Sequence, residues 1–406
     1  MKILFLTQYY PPEIGAPQNR LHELALRLKK SDIDVEVLTA MPNYPKMEIF
    51  EKYRNNKIKS EIIDGIQVFR AKIYMSKSKG IVSRLLNYFS FVFTSYLKGR
   101  KLKTNYDFIL VESPPLFLGY SAMALSRKLK AKLIFNVSDL WPESAEKLDI
   151  VTNKSLLKFA YNLEARCYNR ATLITGQTEG IVENIKSRFP NKHISWLPNG
   201  VDLSYYNPAN FENSDFRQKN GFQADDLLFF YGGILGHAQG LEIILHAAKE
   251  LKNEKIHFIV QGSGPEKEKL IALKYELKLL QVHFLEPVTK NEMPFVLKAI
   301  DVALVPLKKL ELFQGAIPSK IFEALAMEKP LLLGVDGEAK RHFIDKAKAG
   351  LFFEPENVGD LVSKINYFSE NLGEIKSMGA NGRTYVNEHF NRNKIASDLV
   401  EVLRNI

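Results

Sequence analysis

The chain has a single cysteine, Cys167. One thiol cannot close an intramolecular disulfide, and no cluster of cysteine and histidine has the spacing of a zinc site. That usage fits a reducing compartment. Cys167 falls in a helix-like stretch and reads as a buried core thiol, not a nucleophile. No run reaches the ~20 consecutive apolar residues that span a bilayer. The apolar opening, Met1-Lys2-Ile3-Leu4-Phe5-Leu6-Thr7, is too short for a signal peptide and runs into Tyr9-Tyr10-Pro11-Pro12. It reads as a buried first strand. Low-complexity segments and solenoid repeats are missing. So is the G-x-G-x-x-G spacing of a dinucleotide site, which disfavours NAD.

What is present is the balance of a globular protein. The 406 residues are 46% hydrophobic and 25% charged, enough for two domains of ordinary size. Short apolar strands alternate with amphipathic helices, the α/β pattern. Strands are expected at 2–7, 35–39, 108–111, 132–137, 173–175 and 194–197, and a helix at 18–30 with Leu21, Leu24, Ala25 and Leu28 on one face. The pattern then restarts. Strands are expected at 227–231, 257–261, 282–284, 302–305 and 331–333, with a helix at 241–251. Glycine-punctuated turns follow two of these strands, at Gly232-Gly233 and Gly262-Ser263-Gly264-Pro265. Pro198-Asn199-Gly200 is a turn signal between the two series. The expected architecture is two Rossmann-like domains facing each other, residues 1–198 and 199–385. The stretch 381–406 looks helical. Ligands of parallel sheets bind beyond the carboxyl ends of the strands, so a site is expected in the cleft between the domains.

The formal net charge is +10, which favours anionic partners. No acidic residue occurs between Gly65 and Tyr106. That stretch carries Arg70, Lys72, Lys77, Lys79, Arg84, Lys98, Arg100, Lys101 and Lys103. Between its basic ends runs an aromatic-rich segment that includes Tyr88, Phe89, Phe91, Phe93 and Tyr96. A basic helix with exposed aromatics can lie in the headgroups of an anionic membrane. The other reading is a core helix with a solvated basic end. No nucleic-acid motif accompanies the charge, so nucleic acid is not expected as a partner.

Two places carry candidate chemistry. The loop Tyr9-Tyr10-Pro11-Pro12-Glu13-Ile14-Gly15-Ala16 leaves the first strand and enters a helix. Gly15 there would let backbone N–H groups approach a phosphate. The segment from Gln314 to Met327 contains Pro318-Ser319-Lys320 and then Glu323. Pro318 suits a first helical turn. The free N–H groups behind it, with the Lys320 ammonium, would hold a diphosphate, and Glu323 would accept hydrogen bonds from a ribose diol. A surface helix with solvated Lys and Glu is the plain alternative.

These features, with Asp139-Leu140-Trp141-Pro142-Glu143, Pro198-Asn199-Gly200-Val201-Asp202 and Tyr231-Gly232-Gly233, are spread along nearly the whole chain in one order. Together they resemble glycosyltransferase family 4, of GT-B architecture, in the branch of bacterial surface-polysaccharide enzymes that includes fucosamine-transferase-like members. The resemblance implies that Gly15 approaches the donor diphosphate from the N-terminal domain. Ser319 and Lys320 would hold it from the C-terminal domain, and Glu323 would bind the ribose. Gly262 and Gly264 would lie near the nucleoside, and Asp139 near the reacting sugar. It also implies that the C-terminal helix, about 386–406, returns to the first domain. Gly233, His237 and Gln239 belong to the same donor-binding set.

The chain departs from the family pattern at four places. Gly315 stands where the first glutamate of E-x7-E is expected. Ile234 and Gln239 stand where the family has Arg and Lys, leaving Lys320, with His237, to supply charge. Ser138 stands where many relatives have histidine. Asp139 also suits a helix N-cap, and Glu143 reads as structural or acceptor-facing.

The implied function is retaining transfer of a hexose or N-acetylhexosamine from a nucleotide-diphosphate donor, a UDP-sugar, in surface polysaccharide (O-antigen or capsule) synthesis. The basic aromatic segment points to a lipid-linked acceptor at the cytoplasmic face of the membrane. Arg84, Tyr88, Phe89, Lys98, Arg100 and Lys101 would form the acceptor or membrane side. No metal or cofactor is expected. Two other readings stay open: a UDP-sugar 2-epimerase of the same architecture, and a non-catalytic membrane-associated partner in polysaccharide assembly.

Overall fold

Apolar strands of both halves gather into two separate sheets. A computed structural model describes residues 1–13, 15–44, 48–56, 58–75, 81–211 and 214–406; the side chains of residues 56, 81, 82 and 84 lie outside that description. Met1–Asn199 and Arg392–Ile406 form one compact unit, and Gly200–Asn391 the other.

The first unit holds β1 (Lys2–Leu6), β2 (Asp34–Ala40), β3 (Ser60–Ile63), β4 (Ile66–Ala71), β5 (Phe108–Ser113), β6 (Lys132–Val137), β7 (Leu173–Gly176) and β8 (Ile194–Trp196). Their order is β3-β4-β2-β1-β5-β6-β7-β8, parallel except for the β3–β4 hairpin. Its helices are α1 (Ala16–Lys30), α2 (Ile81–Gly99), α3 (Leu118–Leu129), α4 (Glu143–Lys147), α5 (Lys154–Arg170) and α6 (Glu179–Arg188). The central strands read as continuous apolar runs because helices cover both of their faces. α1 shows how sequence sets such a cover: Leu21, Leu24, Ala25 and Leu28 are buried together, while Arg27, Lys29 and Lys30 sit in the last turn, where the helix dipole favours cations. Cys167 lies in the core of this unit, and burial pushes its thiol up to about 12.

The second unit holds β9 (Leu227–Ile234), β10 (Ile256–Ser263), β11 (Val282–Leu285), β12 (Val302–Pro306), β13 (Leu331–Gly334) and β14 (Gly350–Phe352), in the order β11-β10-β9-β12-β13-β14, all parallel. Its helices are α7 (Phe216–Lys219), α8 (Glu242–Glu250), α9 (Lys267–Glu276), α10 (Met293–Ala299), α11 (Ser319–Ala326), α12 (Glu338–Lys340), α13 (Val358–Glu370) and α14 (Leu372–His389). The last helix, α15 (Arg392–Arg404), belongs to the first unit. There Ile395, Leu399 and Leu403 join the apolar core beside Leu21 and Leu28, and Arg27 Nε donates to Asn393 Oδ1 at 2.9 Å.

Three local expectations are corrected. Gly232 and Gly233 are not a turn after β9 but part of it, paired with Gln261 and Gly262 of β10. The C-terminal stretch is two helices, not one, because Phe390 and Asn391 leave α14 and Asn391 bridges Val201. Pro318 stands in the cap position with extended backbone, so α11 begins at Ser319. Among the described residues no helix is long and apolar enough to cross a membrane.

Candidate active site

The second unit carries the more complete constellation. Tyr231, buried in β9, presents its ring to α11, and the Lys320 ammonium lies 3.6 Å from the ring centre. The Tyr231 hydroxyl donates to Ile234 O at 2.6 Å, which fixes the ring beneath the lysine. A Cβ at Gly233 would come within 3.0 Å of Lys320 Nζ, so the end of β9 and the start of α11 meet at that nitrogen. Burial pushes the Lys320 ammonium down to about 7, against the pull of the Glu323 carboxylate one turn further along. Gly262 has φ +152 and abuts the Gly233 carbonyl so closely that a Cβ would overlap it. Gly264 follows with the same closeness to the Leu235 carbonyl. The result is a side-chain-free corner at the carboxyl ends of β9 and β10, next to the N-terminus of α11. Helix N-termini offer unpaired N–H groups and a positive dipole end, here those of Ser319 and Lys320. Such a corner suits a phosphorylated ligand.

The structure therefore brings together Gly233, Gly262, Gly264, Ser319, Lys320 and Glu323. His237 and Gln239 occupy a short 3₁₀ turn just beyond β9. His237 does not join Lys320; its Nε2 lies 2.9 Å from Lys308 Nζ. Gln239 folds back toward Gly236. Gly315 ends another 3₁₀ turn, and a Cβ there would meet open space. Tyr231 enters the sequence reading only within the Tyr231-Gly232-Gly233 motif, with no role of its own, and Lys308 escapes it. An aromatic residue directly before a glycine pair was the available sign of Tyr231; nothing local marks Lys308.

In the first unit the loop after β1 is held by a buried carboxylate. Glu13 accepts from the backbone N–H groups of Tyr10 at 3.2 Å, Asn43 at 2.8 Å and Tyr44 at 2.9 Å. Burial raises its pKa while those three bonds oppose the rise. Gly15 caps α1 with extended backbone, φ 176; Ile14 beside it lies outside the described residues. Arg20 of α1 reaches the ends of β5 and β6. Its guanidinium pairs with Glu112 and donates to Ser138 Oγ at 2.6 Å. Ser138 Oγ donates to Glu112 as well, and Asn136 Nδ2 donates to its other oxygen at 2.5 Å. Thr175 of β7 completes the chain by donating to Asn136 at 2.7 Å. The sequence reading missed Arg20 and Glu112.

Asp139 emerges at the end of this network, half-buried. It is not a helix N-cap, since Pro142 holds the cap position of α4; its Oδ1 accepts from Ser144 Oγ at 2.5 Å. Glu143 is structural in its contacts, pairing with Lys147 at 3.0 Å.

The basic aromatic segment is α2 with its flanks. Leu86, Phe89 and Phe93 form an exposed stripe, 51%, 39% and 62% accessible, whereas Asn87, Phe91 and Ser95 are buried on the opposite side. Tyr88 packs against the core rather than pointing outward. Phe89 packs on Phe117 in a tilted pair, ring centroids 4.8 Å apart, and Phe117 meets Trp141 at 5.6 Å, two residues from Asp139. Lys98 Nζ donates to Lys59 O at 3.0 Å, and its pKa is lowered by burial and by Lys59 and Lys101. Arg100 lies against the Tyr96 ring, and Lys101 is exposed. Lys77 and Lys79 lie outside the described residues, as does the Arg84 side chain.

Two α/β units with parallel sheets, one ending in a glycine-lined, lysine-bearing corner, are the architecture of a GT-B glycosyltransferase. A family model of glycosyl transferases group 1 matches residues 212–385, and one of glycosyltransferase family 4 matches residues 18–205. Between them they take in most of the chain, which belongs to the family 4 glycosyltransferases. It is 24% identical over 375 residues to WcaI of Escherichia coli (strain K12), a protein named for glycosyl transfer in colanic acid biosynthesis, covering 90% of this chain and 91% of WcaI. The fold is similar to that of sucrose-phosphate synthase from Thermosynechococcus elongatus, with TM-score 0.77, 17% identity, and 100% and 99% of the two chains covered. It is also similar to Anabaena HepE in complex with UDP and glucose, with TM-score 0.72, 18% identity and full coverage of both chains.

Proposed function

We propose that this glycosyltransferase moves a sugar from a UDP-sugar to a lipid-linked acceptor, with retention, in the assembly of a bacterial surface polysaccharide. The observation that carries the donor half is Lys320 at the N-terminus of α11, held over Tyr231 beside the paired glycines Gly233 and Gly262. The name of WcaI supports the polysaccharide setting, and the UDP complex of HepE supports the choice of nucleotide.

The chemistry follows from where charge develops. The bond from the sugar's anomeric carbon to the diphosphate oxygen breaks, and the leaving diphosphate gathers negative charge. N–H groups of Ser319 and Lys320, the helix dipole and the Lys320 ammonium meet that charge without a metal. The acceptor hydroxyl forms the new bond to the anomeric carbon. Its proton goes to the leaving phosphate or to Asp139. Retention rests on the family resemblance. The acceptor half rests on α2: its exposed apolar stripe and basic C-terminal end fit an anionic membrane surface, here the inner face of the cell membrane.

The test is turnover by the full chain with UDP-, GDP- and dTDP-sugars and a polyprenyl-diphosphate-sugar acceptor, in EDTA. Transfer from the UDP donor is expected. Lys320→Ala and Glu323→Ala should each reduce it by about a hundredfold, the loss of a charged hydrogen bond in a closed site. No transfer from any donor, with no heat of nucleotide binding, rejects the reading. Product formed from donor alone moves the protein to the epimerases.

A further inference from the structure

The sheet of the second unit grows in two directions from β9: β10 and β11 lie on one side, β12, β13 and β14 on the other. Open α/β sheets receive their ligands beyond the carboxyl ends of the two strands that flank such a reversal. These strands are β9 and β12. Beyond β9 come His237, Gln239 and Gly240; beyond β12 comes Lys308.

The two loops are tied together by that lysine. Lys308 N–H donates to Ala238 O at 3.0 Å. Its stem passes Gly240, which has φ +57 and whose Cβ, were there one, would lie 3.2 Å from Lys308 Cγ. Its ammonium then reaches the His237 ring, 2.9 Å from Nε2. An ammonium can only donate, so the imidazole nitrogen facing it accepts, and the ring aims the charge without neutralising it. Among the described residues Lys308 makes no ion pair at contact distance, though the Glu242 carboxylate feels its charge. Glu242, just beyond this turn, makes its contact ion pair with Lys269 at 3.0 Å and not with Lys308. The next residue, Lys309, is different: it is exposed and paired with Glu354 at 2.7 Å.

The segment from Gly233 to Gly240 therefore has a lysine at each end, Lys320 at the first glycine and Lys308 at the last. Two cations at the ends of one glycine-bearing segment suit a ligand with two adjacent anionic groups better than one with a single charge. We infer that Lys308, aimed by His237, is a second cation of the donor-diphosphate site, in addition to Lys320. The inference rests on the donor reading proposed above.

The test is calorimetric titration of UDP into the full chain and into Lys308→Ala, Lys308→Met and Lys309→Ala, at several salt concentrations, with thermal melts of each. The two Lys308 variants should bind UDP about tenfold more weakly or worse, as expected for a lost charge-assisted hydrogen bond. Their affinity should also depend less steeply on salt, and their melting temperatures should stay unchanged. His237→Ala should lose a few-fold, and Lys309→Ala should bind as the unmodified chain does. Unchanged UDP affinity in both Lys308 variants overturns the inference alone. So does weaker binding that comes with a lower melting temperature and an unaltered salt dependence, which would make Lys308 a structural tie. If the unmodified chain binds none of UDP, GDP and dTDP, the donor reading falls and takes this inference with it.

Discussion

The Lys320 ammonium rests 3.6 Å from the centre of the Tyr231 ring, and burial has drawn its pKa down to about 7. The ring offers a cation–π contact that leaves the lysine's charge in place, so the site suits an anion. The sign of the linkage follows. Above pH 7 the lysine is largely neutral in the free protein, and a bound diphosphate favours the charged form. Diphosphate binding at pH 8 should therefore take up close to one proton, and affinity should fall as pH rises through 7 and beyond. Calorimetry in buffers of different ionisation enthalpy measures that uptake; none at pH 8 would contradict the assignment. Stability runs the other way. Between about pH 7 and 10.5 the unfolded chain binds the proton and the folded chain does not, so this group makes the ligand-free protein more stable as pH rises. Lys320→Met should remove that slope and the proton uptake. It should also raise the melting temperature of the ligand-free protein while abolishing diphosphate binding, a trade of stability for function.

The glycine corner gives a second prediction. Gly262 sits at φ +152 against the Gly233 carbonyl. Gly262→Ala must both leave that backbone region and part β9 from β10, at a cost on the order of 2–4 kcal/mol. Denaturant unfolding should show this, along with weakened nucleotide binding. Gly315→Ala is the contrast: its side chain enters open space, and its stability should change by less than about 0.5 kcal/mol.

The two sheets were legible because buried parallel strands write themselves as apolar runs between turn residues, as at residues 132–137 and 302–305. The β3–β4 hairpin was not read, although Asp64-Gly65 is a hairpin signal: both residues take positive φ, 48° and 77°, as a two-residue turn requires. Its strands alternate only weakly and carry Glu61, Gln67 and Arg70, which masks them. Lys320 and Glu323 were legible because they share one short helix with the proline that precedes it. Arg20, Glu112 and Lys308 were not, since each acts on a partner between 71 and 118 residues away along the chain. Only the order of strands in the sheet makes such pairs neighbours.

The exposed stripe of α2 makes a third prediction. A helix buried on the side of Asn87, Phe91 and Ser95 and apolar on the opposite side as well has a second surface to cover. If anionic lipid covers it, vesicles containing phosphatidylglycerol should sediment with the protein and vesicles of phosphatidylcholine should not. High salt should weaken the association. Leu86→Asp and Phe93→Asp each remove apolar burial and add repulsion, and each should reduce binding by about tenfold. Transfer to a water-soluble acceptor analogue should be unaffected by either change. Binding to neither vesicle type would remove the membrane assignment, equal binding to both would remove its preference for anionic lipid, and either would leave the donor site untouched.

Arg20 and Glu112 carry the last prediction. Both side chains are buried, and the pair shares its oxygens with Ser138 and Asn136. Removing one partner of such a pair leaves the other charge without compensation, which costs about 3–5 kcal/mol. Arg20→Met should approach that figure, because Glu112 then keeps only neutral donors. Glu112→Gln should also destabilise, because Arg20 loses its counter-charge while Ser138 Oγ remains as an acceptor. The double variant Arg20→Met/Glu112→Leu should recover much of the loss, since it takes both charges out of the interior. Activity separates packing from positioning. Ser138 precedes Asp139, and the network is what holds that strand end in place. If it positions Asp139, the double variant regains stability in urea titrations without regaining turnover, while its affinity for UDP, whose proposed site is in the other unit, stays unchanged. Recovery of both stability and turnover would reduce the network to a packing device.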